Sequence, residues 1–435
     1  MHRETVERMR PRRPDRTLGG RGLYAGCALV LLAIGVIRCE VTAAAGPVNL
    51  RAQTRAVFYN DVWSSLDGLN WTKHAAPPWS SGPCSKGPLD RGVIMGSVVF
   101  QGRLWVLGGG SYGTNNPDCG NVGSSQVWSW DGIDGHAWVQ ATAAAPWIAR
   151  LYHNTFVFNN RMWVMAGVHN DKRGADMLCD AWSSPDGVNW TASSNPAPWP
   201  GRHAASVWVY KDAVYMEGGT GQLHARGPCP NGAESSLPLN DVWIYSQHNV
   251  GRLAAAEYSW RPLLRRGEAP FPGHDAAGAL VYNNLMWLIG GWNPVVYAPM
   301  IATNEVWNSP DGIHWTEVKP NTFMPGVFNP LTDWEGRHTA GWVVFDNKMW
   351  IVGGDNNSGH YQSDIWNSSD GVHWTKVTDT PQWALRSAGG GARVMHYTVV
   401  FNNGSNTQIY VIGGQTLPET IGYNVHAIID TLLLP

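Results

Sequence analysis

Arginine and histidine recur at matching places along this 435-residue chain, each just before an apolar run of strand length. Guanidinium and imidazole groups bind carboxylates, sulfates and acidic sugars, and a shared low-dielectric channel would strengthen their attraction for an anion. We therefore predict that they line an acidic-ligand site, whereas the competing interpretation is that each arginine bonds carbonyls or carboxylates of the neighbouring repeat and serves structure alone. The set comprises Arg91, Arg150, His153, Arg202, His203, His274, Arg337, His338, Arg393 and His396, with Arg386 as an alternative to Arg393.

One glutamate interrupts an apolar position of the same pattern. Glu217 stands where the other copies carry Leu107, Met165, Ile289, Val352 and Ile412. A carboxyl group in an apolar slot has its pKa raised by loss of solvation, which is how a general acid or base is prepared. Glu217 is the catalytic candidate, and the alternative is a structural pairing with Arg202 or Arg226.

These residues belong to an internal repeat that occurs six times. Its copies are marked by a glycine pair, and the pairs are roughly 50 to 70 residues apart, as in propeller blades with long loops. The pairs are Gly108-Gly109, Gly218-Gly219, Gly290-Gly291, Gly353-Gly354 and Gly413-Gly414, with Ala166-Gly167 as a variant. An acidic or amide residue two before a tryptophan follows every pair except Gly413-Gly414, at Gln126, Asp180, Asp241, Glu305 and Asp364, and a sixth such residue is Asp61.

Each copy predicts four short strands. Apolar runs of four to seven residues are separated by Asn-Asn or Asp-Gly turns such as Asn159-Asn160 and Asp186-Gly187, which suit tight hairpins. The prediction is an all-β, six-bladed propeller of four-stranded antiparallel blades with little helix. The last blade is expected to join residues near 392 to 414 with N-terminal residues near 58 to 73, because closure removes two exposed edges. A strand from 423 to 430 is the alternative.

These motifs resemble the kelch-like β-propellers, the group that includes the central domain of galactose oxidase. The Gly-Gly pair, the blade tryptophan and the arginine that opens the next blade carry the resemblance over about residues 55 to 415. The Ser184 to Trp190 stretch is also similar to the Asp-box of sialidases, but is one residue shorter between aspartate and tryptophan. The resemblance implies a fold and leaves the activity open.

The N-terminus predicts export. Seven arginines within the first 21 residues precede the apolar run 23–37 and a small-residue segment, Ala43-Ala44-Ala45. This order is typical of a secretory signal peptide, and an uncleaved single-pass anchor is the alternative. We expect residues 1–45 to be that segment, 55–415 the propeller and 416–435 a tail. The protein is expected to be secreted or otherwise extracytoplasmic.

Four cysteines remain beyond the leader, an even number that favours disulfides in an exported chain. The predicted pairs are Cys84 with Cys119 and Cys179 with Cys229. Sequons occur at Asn70, Asn189, Asn356, Asn367 and Asn403. No Cys/His spacing predicts zinc and no calcium loop occurs, so neither metal nor other cofactor is expected.

Other features narrow the choice of partner. The net charge of −2 gives no electrostatic reason for nucleic-acid binding, and we expect a monomer.

Tryptophans at repeated positions are predicted to belong to the core, and only Trp130, Trp292 and Trp334 fall outside the pattern. Two apolar loops, 292–301 and 323–331, predict either a partner surface or a local lid.

The function predicted from the sequence is an exported binding module for an acidic glycan, small molecule or protein at the long-loop face. The alternative is a sugar-modifying enzyme similar to the kelch-type sialic acid mutarotases, with Glu217 as acid/base. Copper chemistry of the galactose-oxidase type is disfavoured, because the cysteines beyond the leader are expected to be paired.

Overall fold

Six antiparallel four-stranded sheets form the structure. The computed structural model describes residues 57–79, 96–111, 122–171, 174–194, 196–221, 229, 238–248, 257–356, 360–385 and 391–416. The predicted N-terminal segment, most of the tail, Arg91, Arg386, Cys84 and Cys119 lie outside these residues.

The sheets follow one another along the chain as blades 1 to 6, and each is a meander whose strands are given from the first to the fourth. Blade 1 consists of Ser97–Phe100, Arg103–Leu107, Val127–Trp130 and Val139–Thr142; blade 2 of Asn154–Phe158, Arg161–Met165, Ala181–Ser184 and Thr191–Ser194; blade 3 of Ser206–Tyr210, Ala213–Glu217, Val242–His248 and Glu257–Leu264. Blade 4 consists of Gly278–Tyr282, Leu285–Trp292, Ala302–Ser309 and Thr316–Lys319; blade 5 of Gly341–Phe345, Lys348–Asp355, Tyr361–Ser368 and Thr375–Thr378.

Blade 6 is built from both ends of the propeller sequence. Its strands are Tyr397–Asn402, Thr407–Ile412, Val62–Ser65 and Trp71–Lys73, and Val62 lies opposite Ile412 in the register. The predicted ring closure is therefore confirmed. The alternative strand at 423–430 lies outside the described residues.

Shorter pairings extend the blades at the end where the first strands begin. They join Val57–Phe58 to Gln415–Thr416, Gly110–Ser111 to Val122–Gly123, Val168–Asp171 to Gly174–Met177, and Arg202–His203 to Thr220–Gly221. The described residues contain no α-helix, and their one short 3₁₀ turn is Gln382–Ala384. None of their helical segments is long enough to cross a bilayer.

The hydrophobic core lies between blades rather than within one sheet. Six clusters of buried side chains each draw members from two adjacent blades, including the closing contact between blades 6 and 1. The repeated tryptophans belong to these clusters: Trp105, Trp163, Trp287 and Trp350 are buried. Stability therefore arises from contacts between neighbouring repeats, and an isolated blade would leave both apolar faces exposed.

The Asp-Gly turn of one blade packs on the preceding blade. Gly187 has a φ of +77°, and a Cβ there would lie 2.3 Å from the Trp105 ring of blade 1. Ser184 Oγ accepts the Gly187 N–H, while Asp186 caps the next two amides. The Ser-x-Asp-Gly-x-x-Trp motif is thus a self-capped turn that seats two blades.

Replacing Gly187 with alanine is expected to lower the free energy of unfolding by about 2 to 3 kcal/mol, since a left-handed backbone and a steric clash both oppose a Cβ. The matched control is Gly135→Ala, where φ is +86° but no atom lies within 4 Å of the Cβ position. It should cost about 1 kcal/mol, from backbone strain alone. Equal losses in urea unfolding would contradict the contact between turn and blade.

Candidate ligand-binding site

The arginine and the acidic residue that recur along the repeat are direct partners in the structure. The two terminal nitrogens of Arg150, Nη1 and Nη2, donate to the Asp180 carboxylate at 2.6 and 2.8 Å. Nη1 also donates to the Ala166 carbonyl. The same aspartate accepts the indole N–H of Trp182. Arginine at the blade opening, aspartate before the third strand and the blade tryptophan therefore form one buried unit.

Among the described residues, this arginine–aspartate staple occurs in four blades. Its pairs are Arg150–Asp180, Arg202–Asp241, Arg337–Asp364 and Arg393–Asp61. All four arginines have no exposed surface. Each pair lies within one blade, rather than between neighbours as the competing interpretation supposed, and these four guanidinium groups do not reach the channel.

Blade 4 replaces the staple with a different cluster. His274 occupies the arginine position and Glu305 the aspartate position, with His274 Nε2 2.9 Å from Glu305 Oε1. Tyr297, carried by the 293–301 loop, donates its hydroxyl to Glu305 at 2.7 Å. Glu217 of blade 3 lies 3.7 Å from His274 Nδ1, an ion-pair distance rather than a hydrogen bond.

Burial and pairing shift the pKa values in this cluster. Burial raises the pKa of Glu217 despite the nearby His274. For His274 burial acts to lower the pKa, but the two glutamates outweigh it and raise the value to about 9. His274 is therefore an imidazolium at neutral pH, held by Glu305. Glu217 and His274 are fully buried, so neither meets a ligand without a rearrangement.

A collar of backbone surrounds the channel where the first strands begin. One residue from each of blades 2 to 6 has a left-handed backbone with φ between 50° and 58°: Tyr152, Ala204, Ala276, Thr339 and Met395. Each N–H after the first bonds the carbonyl of the preceding member, at 2.8 to 3.3 Å. Such strain in non-glycine residues persists only where surrounding structure enforces it, and it is typical of functional sites.

Below the collar lies a cavity of about 230 Å³. Alanine, glycine, serine and threonine line most of it. The larger lining residues are Tyr152, His153, Asn154, Val207, Trp342, Met395, His396 and Tyr397. No lining residue is an aspartate, glutamate, lysine or arginine. A cavity smaller than the roughly 300 to 1,000 Å³ of drug-sized sites suits a ligand of about one sugar ring.

Above the collar, blades 3 to 5 supply a band that we call the polar arc: His203, Thr220, Asp275, Trp292, His338 and Asp355. Asp275 and Trp292 face each other in a backbone pairing, as do His338 and Asp355. The Trp292 ring stacks on the His338 ring, with centroids 6.3 Å apart. Thr220 donates its hydroxyl to Asp275. Three blades therefore bring carboxylates, imidazoles, a hydroxyl and an indole to one side of the channel mouth.

The other side of the mouth is apolar. Leu151, Val168, Val394 and Met395 form a separate buried cluster from blades 2 and 6, with Tyr152 and Tyr361 packed against it. The mouth is thus divided into a polar arc and an apolar side. The hydrogen-bonding groups of the apolar side are neutral, such as the Gln415 amide that donates to the Tyr361 hydroxyl, whereas the polar arc holds carboxylates and imidazoles.

Protonation of His338 makes the stability contributed by the polar arc depend on pH. Burial acts to lower its pKa, but Asp355, 2.9 Å away, outweighs this and raises the value from 6.5 to about 9. A raised folded-state pKa contributes stability that is complete below the unfolded value and is lost as pH rises through the folded value. Asp275 is the other charged group that acts on this imidazole.

We therefore expect the Tm difference between wild type and His338→Gln to be largest near pH 6 and to vanish above about pH 9. Thermal unfolding from pH 5 to 10 tests this, and His274, present in both proteins, cancels from the difference. A difference that grows with pH would contradict the His338–Asp355 ion pair.

The remaining predicted residues have defined places. His153 Nε2 lies 2.9 Å from the Leu107 carbonyl, and the His396 ring lies beside the Val352 carbonyl. Both rings are buried, and both contribute to the lining of the cavity. Trp130 and Trp334 are buried in inter-blade clusters, which leaves Trp292 at the mouth. The predicted disulfide between Cys179 and Cys229 is confirmed.

The loop 323–331 and its neighbours contact blade 5. Asp333 pairs with Lys319, and Glu335 with His360, so neither carboxylate binds the Arg337 guanidinium. Phe323 is buried, whereas Leu331 is 87% exposed. No group of three or more metal-ligating side chains occurs in the part of the chain that the structure describes.

No protein-family model and no curated protein matches the chain. Among solved structures, one titled "Structure of YjhT" is similar, with 14% sequence identity, a TM-score of 0.54, and coverage of 78% of this chain and 93% of that chain. The likeness concerns the fold. The polar arc must therefore be interpreted from its own geometry.

Sequence reasoning found His203, His338 and Trp292 but missed Thr220, Asp275 and Asp355. A signal was present, because each missed residue directly follows a glycine pair or a residue of the Arg/His set. Two positions in each copy carry this signal: the residue after the glycine pair and the residue after the arginine or histidine. Comparing the copies at these positions would have shown polar residues in blades 3 to 5 and apolar ones in blade 2.

Proposed function

We propose that this protein is an extracytoplasmic binding module, which takes a small polyhydroxylated molecule such as a sugar at the mouth of its channel. The polar arc carries the proposal: its His203, Asp275 and His338 each directly precede a residue that lines the 230 Å³ cavity. Carboxylates and imidazoles are suited to sugar hydroxyls, and the indole of Trp292 offers an apolar face beside them. Ligand pockets combine such an apolar surface with a few converging polar groups.

The charge of the site favours a ligand without an acidic group. The acidic ligand expected from the sequence depended on free arginines. Four of the arginines predicted to line the site, Arg150, Arg202, Arg337 and Arg393, are instead paired with aspartates. The polar arc contains two carboxylates against one charged histidine. We therefore propose a neutral or cationic sugar rather than an acidic one.

Access favours binding over catalysis. The enzyme alternative needs Glu217 open to the channel, whereas this side chain is fully buried and its nearest partner is the buried His274. The arc instead adjoins the collar: His203 retains 19% exposure and Trp292 is partly exposed, while Thr220, Asp275, His338 and Asp355 are buried beside them. Export is supported by the basic and apolar N-terminus and by the Cys179–Cys229 disulfide, since disulfides persist in oxidising compartments.

A glycan array that includes neutral, amino, sialylated and uronic sugars tests the proposal. We expect wild type to bind neutral or amino sugars, and the double variant His338→Ala/Asp355→Ala to lose that binding while remaining folded by circular dichroism. The control is Asp346→Asn, in a turn at the opposite end of blade 5, where blades 2 and 4 carry Asn159 and Asn283. Binding confined to acidic glycans, or unaffected by the double variant, would overturn the proposal.

A further inference from the structure

Two aspartates of the polar arc have similar surroundings but different charge balance. Asp355 lies 2.9 Å from His338 Nδ1 and accepts the Thr339 hydroxyl at 2.8 Å. Asp275 accepts the Thr220 hydroxyl, and its histidine, His203, is 3.6 Å away. The first aspartate has a close ionic partner and the second does not.

The histidines beside these two aspartates also differ, because one is charged and the other is neutral. Burial lowers the pKa of His203 below its usual value, and Asp275 offsets this only in part. His203 is therefore neutral at physiological pH, whereas His338 is charged. No lysine or arginine pairs with Asp275 among the described residues, and the six residues of the arc, two aspartates with one charged histidine, have a net charge of −1.

That charge lies beside an aromatic ring. Asp275 and Trp292 exchange both backbone hydrogen bonds, at 3.1 and 3.0 Å, which places their side chains next to each other on the same face of the pairing. A buried carboxylate seeks a cation, and an indole is the best aromatic partner for one. Asp275 is only 8% exposed at its side chain, so a cation bound there would be largely desolvated.

We propose that the ligand at the channel mouth carries a protonated amine, which binds between the Asp275 carboxylate and the Trp292 ring. This inference rests on the proposed function and specifies its ligand class, an amino sugar or a similarly sized polyhydroxylated amine. The ammonium donates to Asp275, and the polar remainder of the molecule extends over the collar, where Ala276 follows Asp275 directly. Thr220 holds the carboxylate in place.

The test uses sugars that differ only in the charge at one carbon: glucosamine, N-acetylglucosamine and glucose, and the galactose series in parallel. Titration calorimetry with the full chain should show at least one amino sugar bound about tenfold more tightly than its N-acetyl and hydroxyl counterparts. Asp275→Asn should remove that preference. Asp346→Asn removes one carboxylate from the opposite face and should leave the preference intact.

The outcomes separate the two proposals. If neutral sugars bind at the mouth as tightly as amino sugars, or if Asp275→Asn keeps the preference for the amine, the inference fails and the proposed function stands. If no sugar of either series binds wild type, and the array is also negative, both fail. The wild-type comparison of charged and acetylated ligands needs no variant, so it holds even if Asp275→Asn fails to fold.

Discussion

Replacing Arg202 with methionine is expected to lower the free energy of unfolding by about 3 to 5 kcal/mol, the usual result of removing one partner of a buried ion pair. The Asp241 carboxylate, 9% exposed, would lose both guanidinium contacts at 2.8 Å. Since the Arg202 side chain also bonds the Gly218 carbonyl, that oxygen too would lose its donor. Urea unfolding measures the change.

The matched control is Arg265→Met, the same change at an exposed arginine, which should alter stability by no more than about 0.5 kcal/mol. Adding Asp241→Leu to Arg202→Met should recover much of the loss, because no buried charge is then left unpaired. Equal stability of Arg202→Met and Arg265→Met would show that the staple does not hold the blade.

The second large effect is expected in blade 4. His274→Ala would leave the carboxylate of Glu305 buried without its imidazolium, at a cost of about 3 to 5 kcal/mol. Glu217→Leu is the informative companion, because it restores the apolar residue found at this position in every other blade. His274 keeps Glu305, so this variant should be neutral or more stable.

A third variant, Glu217→Gln, distinguishes a structural Glu217 from a catalytic one. If Glu217 is structural, Glu217→Gln leaves ligand binding unchanged, whereas a catalytic Glu217 predicts lost turnover in a folded protein. A sugar-converting activity in wild type that disappears in Glu217→Gln would favour the enzyme alternative. A strongly destabilised Glu217→Leu would show that the cluster depends on this carboxylate as well.

The repeat made the architecture predictable. Each copy fixes local turns, strand lengths and the inward face of its strands, so one unit can be checked against five others. The N-terminal strand at Val62 was assigned to blade 6 because its partner residues were missing at the other end. The closure of the ring can therefore be predicted by counting the strands of each copy, without knowledge of side-chain contacts.

The site was less predictable, for a physical reason. An arginine's partner depends on which carboxylate lies closest in space, and Arg150 with Asp180 are 30 residues apart. The polar arc is assembled from three blades, so no local motif describes it. The role of Asp275 depends on its contacts with Thr220, His203 and Trp292, none of which is its neighbour in the chain.

The most direct test of the ligand site at the channel mouth is the affinity of the tightest array sugar for wild type, Trp292→Phe and Trp292→Ala, measured by titration calorimetry. We predict a loss of about tenfold or more for Trp292→Ala, since a central tryptophan commonly dominates binding energy, and a smaller loss for Trp292→Phe, which keeps an aromatic face. Equal affinity for all three proteins would contradict a ligand site at the polar arc.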